Sequence, residues 1–166
     1  MVRPYRDGDA PELWALKRHF ETGLAEKKDA ADETDAYREK LDEDYRRNYL
    51  DWVDRCRMEA PRAVQVAEDD RDTAPEGQLA GYVFVLPPSL AYIWDAAVLN
   101  EIFVRKALRG TGVGDELMGE ALDVARSQDL PLDRVVLDVD QSNERASQFY
   151  ERWGFEHWGE MVARDL

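Results

Sequence analysis

The stretch VRKALRGTGVG, Val104 to Gly114, decides how the rest of the chain is read. The chain has 166 residues, with 36 acidic against 22 basic side chains and a formal net charge of −14. Yet from Ile102 to Gly114 it places three cations (Arg105, Lys106, Arg109), no acid, and three glycines in five positions. The preceding EIFV reads as the end of a strand, and Leu117, Met118, Ala121, Leu122 and Ala125 recur at helical spacing behind the glycines, predicting a helix from about 112 to about 127. A strand, a glycine-rich turn and a helix start together make an anion site. The first N–H groups of a helix are unpaired, its dipole places partial positive charge there, and glycine lets a phosphate approach the backbone. Two phosphate loops are excluded. A P-loop needs Gly-Lys-Ser/Thr, whereas Gly114 is followed by Asp115 and Glu116. The dinucleotide fingerprint wants glycine at 115 or at 117 and meets Asp115 or Leu117. On the loop alone, a tight strand–helix turn without a ligand stays open.

Working outward, VRPYR reads as a short strand. Asp9 is expected to cap a helix, with Glu12 three positions on and Leu13, Leu16 and Phe20 on its apolar face. Residues 25–35 read as a polar connection. From Tyr37 to Glu59 the stripe Tyr37, Leu41, Tyr45, Tyr49, Trp52, Val53, Cys56 predicts a long amphipathic helix, stopped by Pro61. RAVQVAE (62–68) and QLAGYVFVL (78–86) read as a strand pair around a turn-rich loop, and residues 92–104 end as a strand. DRVVLDV (133–139) is a further strand, and Ser142 to Trp153 a helix with Ala146, Phe149, Tyr150 and Trp153 inward, closed by Gly154. FEHWGEMVARDL is expected as a short strand pair. The order describes one α/β (α+β) domain over residues 1–166, a mixed sheet flanked by helices.

Composition narrows the class. No apolar run approaches the ~20 residues of a membrane span, and MVRPYRDGDA carries no signal-peptide core. One cysteine, Cys56, allows no internal disulfide, and a cytoplasmic location is expected. Acid-rich, Lys-poor composition resembles proteins of salt-loving organisms, in which salt screens self-repulsion; an acidic surface kept for a cationic partner is the alternative. Nucleic acid is a poor partner for such a surface. His19 and His157 have no second ligand at useful spacing, so no metal is expected.

Three segments together resemble the GNAT superfamily of N-acetyltransferases. Arg109-Gly-Thr-Gly-Val-Gly114 after a strand looks like its pyrophosphate loop. VLDVDQSNERASQFYERWGFE resembles its second signature, with Asn143, Tyr150 and Gly154-Phe155 in order, and VRPYRDGDAPELWAL looks like its first strand and helix. The resemblance implies a GNAT-like mixed central sheet and acetyl-CoA as acetyl donor. It places the pyrophosphate on Arg109, Gly110, Thr111, Gly112, Val113 and Gly114, and the pantetheine arm along Ile102, Phe103 and Val104. A backbone N–H of that strand would polarise the acetyl carbonyl, and Asn143 would contact the cofactor. Tyr150 is expected as the general acid for the leaving thiolate. Glu101 is expected as the base that takes a proton from the amine. Alternation turns Asn100 and Glu101 to opposite faces unless a bulge intervenes. Asp95 and a water chain are the other candidate bases.

The expected activity is acetyl transfer to a primary amine on a small molecule or a protein, without nucleic acid or membrane as partner, and with homodimer assembly open. A CoA-binding sensor of the same fold without turnover is the rival, and a larger acyl group is the third reading. Tyr92, Trp94 and Asp95 are candidates to line the acceptor pocket.

Overall fold

The computed structural model describes residues 1–25, 39–140 and 142–164. Its centre is a five-stranded sheet of β1 (Val2–Pro4), β2 (Val64–Glu68), β3 (Leu79–Val85), β4 (Ala97–Val104) and β5 (Val135–Val136), in that spatial order. The first three junctions are antiparallel and the β4–β5 junction parallel, so the sheet is mixed. Helices α1 (Ala10–Ala25), α2 (Glu43–Glu59), α3 (Val113–Arg126) and α4 (Glu144–Arg152) cover it. The expected mixed α/β architecture is the one observed.

Strand β3 is buried along its whole length, which its near-continuous apolar sequence LAGYVFV requires of a central strand. One core lies between the sheet and α1 and α2, where Leu13, Leu16, Tyr49, Val53 and Cys56 meet Val66, Tyr82 and Phe84. The other lies under α3, where Leu117, Met118, Ala121 and Val124 meet Val83, Val85 and Leu99. Cys56 is thus a small core residue. Asp42 caps α2 by accepting from the Tyr45 N–H at 2.8 Å. Tyr37 lies outside the described residues.

Four expectations are corrected. Asp9 does not cap α1: it sits in a 3-10 turn, accepts from the Arg6 N–H at 2.8 Å and pairs with Arg3 at 2.7 Å, because the arginine beside it offers a charged donor. Glu12 turns instead to the Leu79 N–H and Arg105. The strand expected over 133–139 shortens to two residues. The segment from Phe155 to Arg164 forms no strand pair, since β5 offers so short an edge; there Trp158 packs on Trp94 at 6.0 Å and under Arg134 at 4.9 Å. Among the described residues no helix is long and apolar enough to cross a membrane.

The acidity makes a prediction of its own. If repulsion among 36 acids is what salt must screen, the melting temperature rises steeply between low and molar potassium chloride. A melting temperature indifferent to salt removes the salt-adaptation reading and favours an acidic surface kept for a partner.

Candidate active site

The glycine loop joins β4 to α3 through a 3-10 turn, Lys106–Leu108. Gly110 and Gly112 have φ of 83° and 97°, a left-handed backbone that only glycine adopts without strain. A Cβ added at either would meet nothing within 4 Å, so the space above both is open. Gly112 caps α3, and its carbonyl takes the Asp115 and Glu116 N–H groups. The N–H groups from Gly110 to Gly114 have no partner among the described residues. Helix start, open space and unpaired donors together fit a pyrophosphate.

The three cations of the loop divide. Arg105 turns away, giving its guanidinium to Glu12 at 2.8 Å and to the Leu79 carbonyl at 2.7 Å. Arg109 stays, donating Nε to the Val104 carbonyl at 3.0 Å with its guanidinium over the Phe103 ring. Burial and the nearby Arg145 lower the Arg109 pKa, so two cations crowd this end of the site and an anion would relieve both. Lys106 is exposed. Arg145, on α4, replaces Arg105 in the positive rim.

The edge of β4 beyond β5 is open apart from the Val104 carbonyl, which Arg109 takes. β4 and β5 pair only at Ala97–Val135 and Val98–Val136. Arg105 donates its N–H to Ala80 on β3 at 2.9 Å, so alternation turns the N–H and C=O groups of Val104 and Ile102 to the opposite edge, beyond the end of β5. An extended, amide-bearing chain can add there as a strand. Ile102, Val104, Val113, Phe149 and Tyr150 pack on one apolar cluster, so edge, loop and α4 converge.

Asn143 caps α4, its Oδ1 accepting from the Ala146 N–H at 3.3 Å. That bond leaves its amide nitrogen for another acceptor. Tyr150 is half-buried between Phe149 and Phe155, with ring centroids 5.6 and 5.7 Å away. Burial pushes its hydroxyl up to about 12, so it keeps its proton throughout the neutral range. Its hydroxyl has no hydrogen-bond partner among the described residues.

Glu101 is placed by a bulge. The β3–β4 register shifts between Phe84 and Val85, leaving Asn100 as the extra residue. Leu99 and Glu101, two apart, would share a face in a regular strand. Here Leu99 packs under α3, while Glu101 enters the α1–α2 side. Its carboxylate is 4% exposed and accepts four hydrogen bonds. Oε1 takes Lys17 Nζ at 2.6 Å and Asn100 Nδ2 at 3.3 Å. Oε2 takes the hydroxyls of Tyr49 at 2.9 Å and Tyr82 at 2.6 Å. Direct contact with an amine would displace one of these donors. Lys17 also pairs with Glu21 at 2.6 Å, which takes Lys40 at 2.8 Å. Burial alone would lower the Lys17 pKa, but Glu101 and Glu21 outweigh it and raise it.

Asp95 has no part in this constellation. It is exposed, with φ of 52°, and lies six residues before Glu101, on the order of 20 Å along the strand. Tyr92 and Trp94 are exposed at that same far end, so none of the three lines a pocket beside the glycine loop. His19 stacks on Phe103 at 6.4 Å, and His157 is exposed. Among the described residues no three His, Cys, Asp or Glu side chains gather as a metal site. Lys17 and Tyr49 are what sequence reasoning missed. The signal was a lysine on the apolar face of α1, four residues after Leu13, in a chain with only five lysines.

Comparison with known proteins agrees with this geometry. The acetyltransferase (GNAT) family model matches residues 27–155. A mycothiol acetyltransferase of Salinispora tropica is 38% identical over 95 residues, 55% of this chain and 30% of the relative. An uncharacterised N-acetyltransferase of Methanocaldococcus jannaschii is 36% identical over 76 residues, 42% of this chain and 33% of the relative. The chain therefore matches about a third of the length of each. The crystal structure of a ribosomal-protein-alanine N-acetyltransferase from Brucella melitensis superposes with a TM-score of 0.68 at 22% identity, over 96% of this chain and 86% of that one. A Bacillus halodurans protein described as a transcriptional regulator shares the fold with a TM-score of 0.65 at 18% identity, over 100% of this chain and 99% of that one. With the family model spanning the glycine loop, the bulged strand and the helix of Tyr150, the chain belongs to the GNAT acetyltransferase family.

Proposed function

We propose that this protein transfers an acetyl group from acetyl-CoA to a primary amine. The observation that carries the reading is the pairing of an open-sided glycine loop, rich in unpartnered N–H groups, with the free edge of β4 leading into it. The loop from Arg109 to Gly114 holds the pyrophosphate, with Arg109 and Arg145 at its rim. The edge from Ile102 to Val104 aligns the pantetheine arm and offers a backbone N–H to the acetyl carbonyl, where charge develops as the amine attacks. Asn143 gives its free amide nitrogen to the cofactor. Bound acetyl-CoA supplies an activated thioester.

Two protons must move. An alkyl ammonium with a pKa near ~10.4 has to lose one before attack. Glu101, one residue before the free edge, takes it. Tyr150 donates to the departing sulfur, whose thiol has a pKa of about ~8.5 by analogy with cysteine. A hydroxyl held up to about 12 is a protonated donor at neutral pH.

The test is turnover of acetyl-CoA against a panel of primary amines, followed by release of free thiol at high and low salt. Amine-dependent thiol release supports the reading. Tight CoA binding without turnover of any amine returns the chain to the rival class, a CoA-binding module.

A further inference from the structure

The two faces of β4 differ along the edge assigned to the pantetheine arm. Ile102 and Val104 turn toward α3, where they pack with Val113, Phe149 and Tyr150 in one apolar cluster. Alternation turns Phe103 to the other face, against the α1 side of the core. There its ring is half-buried, and His19 on α1 stacks on it with centroids 6.4 Å apart and planes 9° from parallel. The guanidinium of Arg109 lies over the same ring at 5.6 Å. The imidazole of His19 is exposed and has no hydrogen-bond partner among the described residues.

Carbonyl groups of an added strand lie near the plane of the sheet, so each shows one face to each helical layer. An attacking amine must meet such a face with its lone pair aligned, about 3–3.5 Å away. On the side of α3 and α4, Phe149 and Tyr150 fill the space, and Tyr150 serves the sulfur in the reaction proposed above. The α1 side, with its exposed imidazole, is the side left for the acceptor. We propose that His19 and Phe103 form the wall on which the acceptor lies, and that it takes a primary amine with a flat, apolar body. The inference rests on the acetyltransferase reading above and adds the class of acceptor to it.

The chemistry of the wall selects that body. Two near-parallel rings offer faces and edges that a third ring covers by offset or edge-to-face stacking, beyond the area it buries. A short alkyl ammonium has no surface with which to gain that contact. Charge adds a second filter. The net charge of −14 draws in a cation and disfavours an acceptor that carries a carboxylate of its own.

Two measurements test it. The chain has two histidines, so its imidazole Cε1 protons give two NMR signals, assigned with His19→Ala. Adding 2-phenylethylamine to the CoA-bound protein at constant pH should shift the His19 signal to saturation. The signal of His157, beside Trp158 at the far end of β4, should stay in place. In turnover, wild-type kcat/KM is expected to favour 2-phenylethylamine over ethylamine. His19→Ala should cut that preference about tenfold, through KM rather than kcat. His19→Phe keeps a ring on Phe103 and should restore most of it. Comparing the ratio between variants cancels the difference in basicity of the two amines. A preference unchanged in His19→Ala, or a His19 signal that moves no more than that of His157, overturns the assignment. So does a KM for acetyl-CoA that rises with the loss, which would make the ring pair a cofactor contact. A wild type that acetylates amines without regard to their rings refutes the acceptor class alone. A wild type inactive on every amine removes the function itself.

Discussion

Tyr150→Phe is expected to lower kcat by ~10²–10⁴, the range for a positioned acid, with CoA affinity and fold unchanged. The change deletes one oxygen and leaves the ring seated between Phe149 and Phe155. The defect should stay flat below the pKa of the free CoA thiol, because the sulfur needs a proton there at every pH. It should ease only when the thiolate becomes stable in water. A Tyr150→Phe enzyme at wild-type rate would take the acid role from this residue. Glu101→Gln behaves in the opposite way if the carboxylate accepts the amine's proton: its activity loss should shrink with rising pH. A loss that stays flat leaves Glu101 with a structural role alone.

Lys17→Met is expected to produce the largest change in stability. Lys17 is 4% exposed and bridges Glu21 and Glu101 at 2.6 Å each, so its removal strands two buried carboxylates. Loss of one partner from a buried pair costs about 3–5 kcal/mol, which for a chain of this size lowers Tm on the order of 10 °C. Tyr49, Tyr82 and Asn100 still serve Glu101, and Lys40 still serves Glu21, so the low end of the range is expected. The same cluster sets an acid limit. Glu21 has its pKa lowered from 4.5, so its contribution is complete above that value and is lost as pH falls through the folded value. Lys17, with its pKa raised from 10.5, contributes below 10.5 and loses its effect as pH rises beyond it. Thermal denaturation of the wild type and Lys17→Met at pH 7 and at about pH 3 checks the pair and its acid limit, and equal melting temperatures at pH 7 would show that the pair is not stabilising.

The glycine turn and the helix behind it were legible in sequence, because their parts are local. Gly110 and Gly112 announce a left-handed turn, and the apolar spacing of Leu117, Met118 and Ala121 announces the helix behind it. The buried cluster around Glu101 was not, because it is assembled across 84 residues of chain. Lys17 on α1 meets Glu101 on β4 only through a bulge at Asn100, and nothing in the alternation of LNEIF signals one. Tyr49 fitted the apolar stripe of α2 so well that its hydroxyl went unread. Arg105 shows the converse error. A cation beside a phosphate loop looks functional until its partner, 93 residues upstream at Glu12, is seen. Asp95 failed for a simpler reason, since sequence distance along a strand is real distance.

The central claim is that the open space over Gly110 and Gly112 holds the pyrophosphate of CoA. Titration calorimetry of CoA against the wild type and Gly112→Glu tests it most directly. The glutamate would put a side chain and a negative charge above unpaired N–H groups, at a residue with φ of 97°. Circular dichroism of both proteins separates backbone strain from lost binding. The predicted result is a folded variant whose CoA affinity falls at least tenfold, about 1.4 kcal/mol. A folded Gly112→Glu protein that binds CoA as tightly as the wild type would contradict the account.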